Sequence, residues 1–513
     1  MLEGNGVLAK TLSCAVVGLE SALVEVEAHI DMGKPTVAIV GLPDAAIVEA
    51  KERVRAAIRN SGFPFPQRRL TINLAPADLR KEGASYDLAI AIAVLAANGL
   101  IEDEQVRGRL FLGELGFDGL LRPTSGMLPM ASIARERDLR EVYCPEANAG
   151  EAALVSGVDI VPVDSLGQLV RHLQGLFSIP LFERSTMAEV PPAEFGSDMS
   201  EIRGQEHVKR ALEVAAAGSH NVLLSGPPGS GKTLLARATP SIMPAMTPDE
   251  ALDVTRVYSV SGLLSSDTPL VRQRPFRSPH YTVSHAGLVG GGHIPKPGEI
   301  SLAHRGVLFL DEMPEYASHS LEALRQPMED GVVTISRANG SLTFPAKFML
   351  IGAMNPCPCG FFSDPGRECT CSQSAILRYQ KRLSGPLLDR IDIHVEVPRV
   401  EYEKLTGTSQ PESSAAIRQR AQKARDRQIE RFNGSRRTSN AEMGPREVRE
   451  YCKVEPDAQS LLRQAMTQLH LSARAFHRTL KLSRTIADLA AAETIGAAHV
   501  AEAIQYRPRH SSQ

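Results

Sequence analysis

The residues Gly226-Pro-Pro-Gly-Ser-Gly-Lys-Thr233 have the composition and spacing of a phosphate cradle. Their glycines let consecutive backbone N–H groups turn toward one anion, Lys232 can reach the terminal phosphates, and the Thr233 hydroxyl can bind Mg²⁺. Asn221–Ser225 predicts the strand that feeds this loop and Leu234–Ala238 the helix that leaves it. Gly226, Pro227, Pro228, Gly229, Ser230, Gly231, Lys232 and Thr233 are therefore the expected contacts to ATP. Downstream, Val307-Leu-Phe-Leu-Asp-Glu312 reads as an apolar strand ending in two carboxylates, which lie beside the loop if the two strands are neighbours in the sheet. Asp311 is then expected to hold Mg²⁺ through water and Glu312 to polarise the attacking water. A third apolar strand, Phe348–Ala353, leads into Met354-Asn355-Pro356, where the Asn355 amide can orient that water. In Leu383–Asp392, Arg390 follows an apolar turn. Two readings stand for it: an arginine acting in trans on a neighbouring subunit's phosphate, or a surface pair with Asp392.

A second constellation follows Asn355. Cys357-Pro-Cys359 and Cys369-Thr-Cys371 are separated by a nine-residue loop that contains Gly360, Asp364, Pro365 and Gly366. Four thiolates at this spacing can close a tetrahedral structural Zn²⁺ site, although the pairs are tighter than the usual C-x₂-C, and uncoordinated reduced thiols are the other reading. Cys14, Cys144 and Cys452 are isolated and are expected to be packing residues.

These groups must be carried by a large chain. At 513 residues it exceeds a single ordinary core, and about three domains are expected. The 40 glycines, 34 prolines and formal charge of −2 are those of a folded protein without a general positive field, so any nucleic-acid contact must come from local basic patches. Met1-Leu-Glu-Gly-Asn-Gly-Val offers no basic segment followed by an apolar core, and the longest apolar stretch, near Leu88 to Leu100, is too short to span a bilayer. A cytoplasmic enzyme without membrane contact is expected.

The fold class is α/β. Residues 1–178 alternate β-rich runs (Thr36–Val40, Leu70–Leu74) with helical patterns at Asp44–Asn60, where Asp44 is a candidate cap, and at Ser85–Asn98. Residues 179–200 break both periodicities and read as a linker. The phosphate chemistry belongs to 201–402, whose short apolar strands suit a parallel sheet covered on both faces. Residues 403–440 form a basic linker and helix, and 441–513 a helical lid. Within the core, Leu321–Met328 is an amphipathic helix pattern. Val332–Ser336 and Ser341–Phe344 flank Asn339-Gly340, a hairpin turn signal. Arg337 is expected near that hairpin's tip. The basic helix carries Arg418, Arg420, Lys423, Arg425, Arg427 and Arg431, joined by Arg436 and Arg437, against only Asp426 and Glu430. It reads equally as a DNA-binding face or as a solvated helix.

Taken together, these residues resemble an AAA+ ATPase, and nearly the whole chain resembles the magnesium-chelatase-like ComM/YifB family. That resemblance rests on Ile202-Arg-Gly-Gln205, Phe276-Arg-Ser-Pro-His280, Gly290-Gly-Gly292, Pro297-Gly-Glu-Ile-Ser-Leu-Ala-His304 and Ser384–Asp392. It implies an AAA+ core with a C-terminal lid, ATP and Mg²⁺ as cofactors, a sensor-1 role for Asn355, an arginine finger at Arg390 and a sensor-2 role for Arg474. It also implies a homo-oligomer, a hexameric ring, driving single-stranded or branched DNA in natural transformation, with Arg337 a candidate DNA contact. A competing reading is a magnesium-chelatase-like motor that remodels a protein or inserts a metal. The first domain resembles the Lon-protease-like domain through Lys81-Glu-Gly-Ala-Ser85-Tyr-Asp87-Leu, Gly113-Glu-Leu-Gly116 and Pro123-Thr-Ser-Gly126. Ser85 stands at the protease nucleophile, but Leu128 falls near the position of the lysine base, so peptidase activity is not expected and Ser85 reads as a helix cap.

Overall fold

Alternation writes the first sheet. In Glu20–Asp31 (β2) Val24, Val26, Ala28 and Ile30 are buried, and Glu25, Glu27 and His29 take the other face. This strand pairs antiparallel along its whole length with Val7–Val17 (β1). The computed structural model describes residues 7–184, 196–292, 295–337, 340–362, 364, 366–400, 411–435, 437–469 and 472–507. Thus half of the expected linker, Asn339 of the expected turn, Pro365 and Arg436 lie outside the described residues.

The chain divides into two compact units, Met1–Pro191 with Ala251–Val271, and Pro192–Glu250 with Arg272–Gln513. In the first unit Thr36–Val40 (β3), Arg69–Ala75 (β4), Arg109–Phe111 (β5), Glu141–Pro145 (β6) and Asp159–Val163 (β7) complete a seven-stranded sheet ordered β3-β4-β2-β1-β5-β6-β7. The apolar stretch near Leu88 becomes the helix Asp87–Ala97, every residue of which is buried, as a helix apolar all round must be. Asp87 at its start forms a bidentate ion pair with Arg53, at 2.8 and 3.1 Å. Asp44 caps Ala45–Asn60 as expected, accepting from the Ile47 N–H. Ser85 does not cap: the cap position falls one residue later, on Tyr86, which makes no side-chain cap bond.

The second unit is built on a five-stranded parallel sheet. Val222–Ser225 (β8), Phe276–Arg277 (β9), Val307–Leu310 (β10), Met349–Met354 (β13) and Ile393–Glu396 (β14) run in the order β9-β10-β13-β8-β14. Val332–Arg337 (β11) and Gly340–Pro345 (β12) form a separate antiparallel hairpin. β10 and β13 are buried at every position, which explains why their sequences are runs rather than alternations. The helix expected over Leu321–Met328 is instead two, Ser318–Ala323 and Arg325–Asp330. Pro327 has no N–H to give the preceding turn, so one continuous helix cannot form there.

The C-terminal helices Pro445–Tyr451, Pro456–Gln468, Ala473–Leu489 and Ala497–Gln505 share a core with Phe432 and Met443. The basic helix Ser414–Arg431 fastens this layer. Asp488, fully buried, accepts from Arg431 at 2.9 Å, from Asn440 at 2.7 Å and from Arg484 at 3.1 Å. Arg484 is equally buried and donates onward to the Glu493 and Ala492 carbonyls. Removing the carboxylate strands Arg484 in the core, so Asp488→Ala is expected to lower stability by about 3–5 kcal/mol. Exposed Asp426→Ala should stay within about 0.5 kcal/mol. Urea unfolding of the full chain followed by circular dichroism checks both.

Candidate functional site

The phosphate loop leaves the end of β8, where the Gly226 N–H donates to the Met354 carbonyl at 3.2 Å. Gly231, with φ of 91°, turns the loop into the helix Lys232–Ala238, a left-handed conformation that a side chain would penalise. Lys232 folds back over its own loop. Its Nζ donates to the carbonyls of Gly226 at 2.7 Å and Pro227 at 2.8 Å and to Asn355 Oδ1 at 3.3 Å. Burial pulls its pKa down to about 8, against the opposing pull of Asp311 and Glu312. These three acceptors satisfy the ammonium in a position where a phosphate can replace them.

The Asp311 strand and the loop strand are not neighbours in the sheet. β13 lies between β8 and β10, which sets the two outer strands about 9.6 Å apart. The gap is crossed instead by side chains at the sheet's end: Thr233 Oγ1 donates to Asp311 Oδ2 at 2.8 Å. The intervening strand contributes Asn355. Hence Lys232, Thr233, Asp311 and Asn355 form one connected group at three strand ends. Glu312 adopts φ of 49°, costing about 1–2 kcal/mol for a residue with a Cβ. This turn takes its exposed carboxylate out of the strand line beside Asp311, and such strain held at a strand tip is a functional marker. Two hard oxygen ligands, the Thr233 hydroxyl and the Asp311 carboxylate, suit Mg²⁺.

Arg390 and Arg474 are brought together elsewhere. Both bind Glu329: Arg390 through Nη2 to Oε2, and Arg474 through Nη2 to Oε1 at 3.2 Å. Among the described residues neither hydrogen-bonds the phosphate loop. The alternative Arg390–Asp392 surface pair is overturned, because Asp392 is buried and pairs with Arg478 at 2.7 Å and with His220 at 3.4 Å. Burial alone would raise the Asp392 pKa, but Arg478 and His220 more than offset it and hold the carboxyl well below its usual range. Neither Glu329 nor Asp392 announced a role by sequence. Glu329 is one acid in Met328-Glu-Asp-Gly331, and only folding shows what it touches.

The four cysteines converge. Sγ separations are 3.3 Å for Cys357–Cys359, 3.7 Å for Cys357–Cys369 and 3.6 Å for Cys359–Cys369, and Cys371 Sγ accepts from the Cys359 N–H at 3.4 Å. All four sulfurs lie within 4.8 Å of one another. A tetrahedron of Zn–S bonds of about 2.3 Å has an edge of about 3.8 Å, so the donor set fits Zn²⁺. The Phe361 N–H draws the Cys359 thiol down to about 6, while for Cys369 the Cys371 N–H pulls the same way but is outweighed by burial and by the Cys359 and Cys357 sulfurs, which push that thiol up to about 12. From this knuckle Gly360, at φ of 85°, abuts the phosphate loop: a Cβ there would come within 2.6 Å of Pro228 Cδ.

Arg337 ends β11, paired with Gly340 across the hairpin. The basic helix is mostly committed internally. Arg425 is buried and donates to the Ala216 and Ala217 carbonyls, Arg420 to Glu213 and Glu412, Arg427 and Arg431 to Asp488, and Arg418 to the Ser241 carbonyl. Arg437 pairs with Glu447. Arg425 is thereby taken off the surface, whereas Arg420, Lys423 and Arg427 stay exposed on the helix's outer face. In the first unit, Leu128 is buried and Lys81 is wholly buried, donating to the Pro76 carbonyl. Desolvation lowers the Lys81 pKa.

The Lys232 geometry has a pH signature. The free amine titrates at about 8, whereas bound phosphate favours the ammonium and raises that value. Binding therefore takes up a proton above it, and affinity for a nucleoside triphosphate is expected to fall toward tenfold per unit between about pH 8 and pH 9.5. Titration of a fluorescent nucleotide checks this; Lys232→Met should bind weakly with a flat profile.

No helix among the described residues is long and apolar enough to cross a membrane. The chain matches family descriptions of magnesium chelatase, subunit ChlI, over residues 198–405, of subunit ChlI of Mg-chelatase over 26–148, and of the ChlI C-terminal region over 411–507. It is 43% identical over 507 residues to the competence protein ComM of Haemophilus influenzae, covering 98% of this chain and 97% of that protein. Identity to the uncharacterized protein YifB of Escherichia coli K12 is 42% over 494 residues, covering 96% of each. The magnesium-chelatase 38 kDa subunit of Cereibacter sphaeroides is 28% identical over 173 residues, covering 31% of this chain and 52% of that subunit. With a parallel-sheet phosphate site, a Cys₄ knuckle and full-length likeness in hand, the chain belongs to the magnesium-chelatase-like ComM/YifB family of AAA+ proteins.

Proposed function

We propose that this protein is an ATP hydrolase whose active site is completed between subunits of a homo-oligomeric ring, a hexamer, and that the ring drives single-stranded or branched DNA during integration or recombination. The observation that carries the ATPase reading is the connected group at the strand ends, in which Lys232 contacts Asn355 and Thr233 contacts Asp311. Lys232 exchanges its loop carbonyls for the β- and γ-phosphates, and Asn355 orients the attacking water. Glu312, carried out of the strand line, accepts that water's proton. Thr233 and Asp311 would hold Mg²⁺, which supplies charge neutralisation on the phosphates. Arg390 and Arg474, gathered away from their own loop, serve a neighbour's nucleotide, so turnover depends on assembly.

The DNA assignment is supported by the family, by a relative whose name is competence protein, and by Arg337 at the end of a hairpin strand. On this reading the hairpin lines the ring and Arg337 meets phosphate. The likeness to a chelatase subunit favours a second reading, a motor that remodels a protein partner or assists metal insertion. The first unit we take as a Lon-protease-like platform without peptidase chemistry. Buried Leu128 supplies no base to Ser85, and Lys81 is held by a carbonyl.

Steady-state ATPase separates the two readings. Stimulation by single-stranded or branched DNA is expected, and the absence of stimulation by any DNA form transfers support to remodelling. Glu312→Gln should bind nucleotide and assemble, yet lose at least about 100-fold in kcat; retained turnover removes Glu312 from its role.

We also assign Zn²⁺ to Cys357, Cys359, Cys369 and Cys371, as a brace for the phosphate loop through Gly360. Metal analysis of gently purified protein is expected to give one zinc per chain. Gly360→Ala should keep that zinc but weaken nucleotide binding by about tenfold, since its Cβ displaces Pro228. A metal content near zero refutes the site.

A further inference from the structure

Glu329 is the last residue but one of Arg325–Asp330, just before the left-handed turn at Gly331. An acid in the last turn of a helix opposes the helix dipole, so local helix stability does not favour it there. Its carboxylate lies on the wall shared by two cavities, one of 650 Å³ that Arg474 lines and one of 340 Å³ that Arg390 lines. Each arginine takes a different oxygen of the same carboxylate. Arg390 is otherwise held by the Pro386 carbonyl at 2.7 Å, and its side chain is only 8% exposed, yet its Nε has no partner. A guanidinium buried to that degree with a donor left over is set to receive another acceptor. Glu329 itself is half exposed, so its two arginine bonds form on the surface side.

We infer that Glu329 is a positioning residue for the shared ATPase site, bridging Arg390 and Arg474 so that two mutually repelling guanidiniums are presented together to a phosphate carried by a second copy of the chain. The bridge supplies geometry, and it touches neither nucleotide nor attacking water. With the carboxylate removed, two like charges separate and each arginine must be re-ordered at every encounter. Replacing it by an amide leaves one oxygen acceptor and puts an N–H₂ group against the other arginine, so the pair is again lost. The inference rests on the reading of Arg390 as the residue that completes a neighbour's site.

The test is a double-mutant cycle on full-length protein at ring-forming concentrations, with kcat and KM for ATP measured for the parent, Glu329→Gln, Arg390→Ala and the double variant. Glu329→Gln is expected to lower kcat about tenfold with KM within about twofold. Arg390→Ala should lower kcat further, and adding Glu329→Gln to it should cost nothing more, as expected for residues acting as a unit. Glu329→Asp keeps the charge but reaches both arginines poorly, and an intermediate kcat is expected. It also serves if Glu329→Gln fails to fold, as judged by its thermal midpoint. Unchanged kcat in Glu329→Gln or in a folded Glu329→Asp overturns the inference, as does a loss that multiplies on the Arg390→Ala background. An Arg390→Ala protein with parental kcat overturns the shared-site reading beneath it, a different result from the first two.

Discussion

The hydrogen bond from Thr233 to Asp311 joins two strand ends that do not touch. With β13 between them, the phosphate-loop strand and the acidic strand are two sheet spacings apart, and only side chains at the carboxyl edge can connect them. That constraint accounts for much else in the second unit. β10 and β13 are short and wholly apolar because both of their faces are covered. The middle strand runs into Asn355, whose amide oxygen accepts from the Lys232 ammonium without adding charge. Glu312 leaves the strand at once, its left-handed backbone turning the chain at the end of β10.

Sequence made the chemistry of this edge legible and left its order obscure. Gly226–Thr233 and Asp311-Glu312 are read from residue types alone, because backbone N–H groups, a lysine and paired carboxylates have few other uses at that spacing. Strand order is different: nothing in Val307–Leu310 says whether β8 or β13 lies beside it, since every buried parallel strand carries the same apolar run. The extent of β11 and β12 was nearly complete from alternation, as was the helical C-terminal layer from its periodicity. The Ser85 cap failed because a hydroxyl before a helical pattern is common, and the first turn here is closed from Tyr86 without it.

Charge was the least legible property. Arg418 to Arg431 looks by composition like an electrostatic face, yet Arg425 is buried against carbonyls and Arg431 against Asp488. Composition counts charges but cannot count their partners, and the partners here are backbone oxygens at helix ends and acids far along the chain. The same blindness hid Glu329. Five arginines on one helix bond to neighbouring elements, whereas two arginines distant in sequence, Arg390 and Arg474, meet on one half-exposed acid. Number of basic residues is therefore a poor guide to function in this protein, and the informative observation is a buried guanidinium with an unused donor.

The cysteine knuckle extends the same logic to the phosphate loop. A loop of consecutive N–H groups pointing inward is poorly held by its own hydrogen bonds, because those donors are reserved for phosphate. Something outside must define it. Here Lys232 holds it from within, by bonding its carbonyls, and Gly360 holds it from without, by packing on Pro228. The two restraints differ in kind: the first is made by a long side chain, the second by backbone packing against a proline ring. Gly360 follows Cys359 directly, so the convergence of the four sulfurs places its backbone against Pro228. Because the cysteines directly follow Asn355, one short segment carries both the amide that meets Lys232 and the glycine that packs on Pro228.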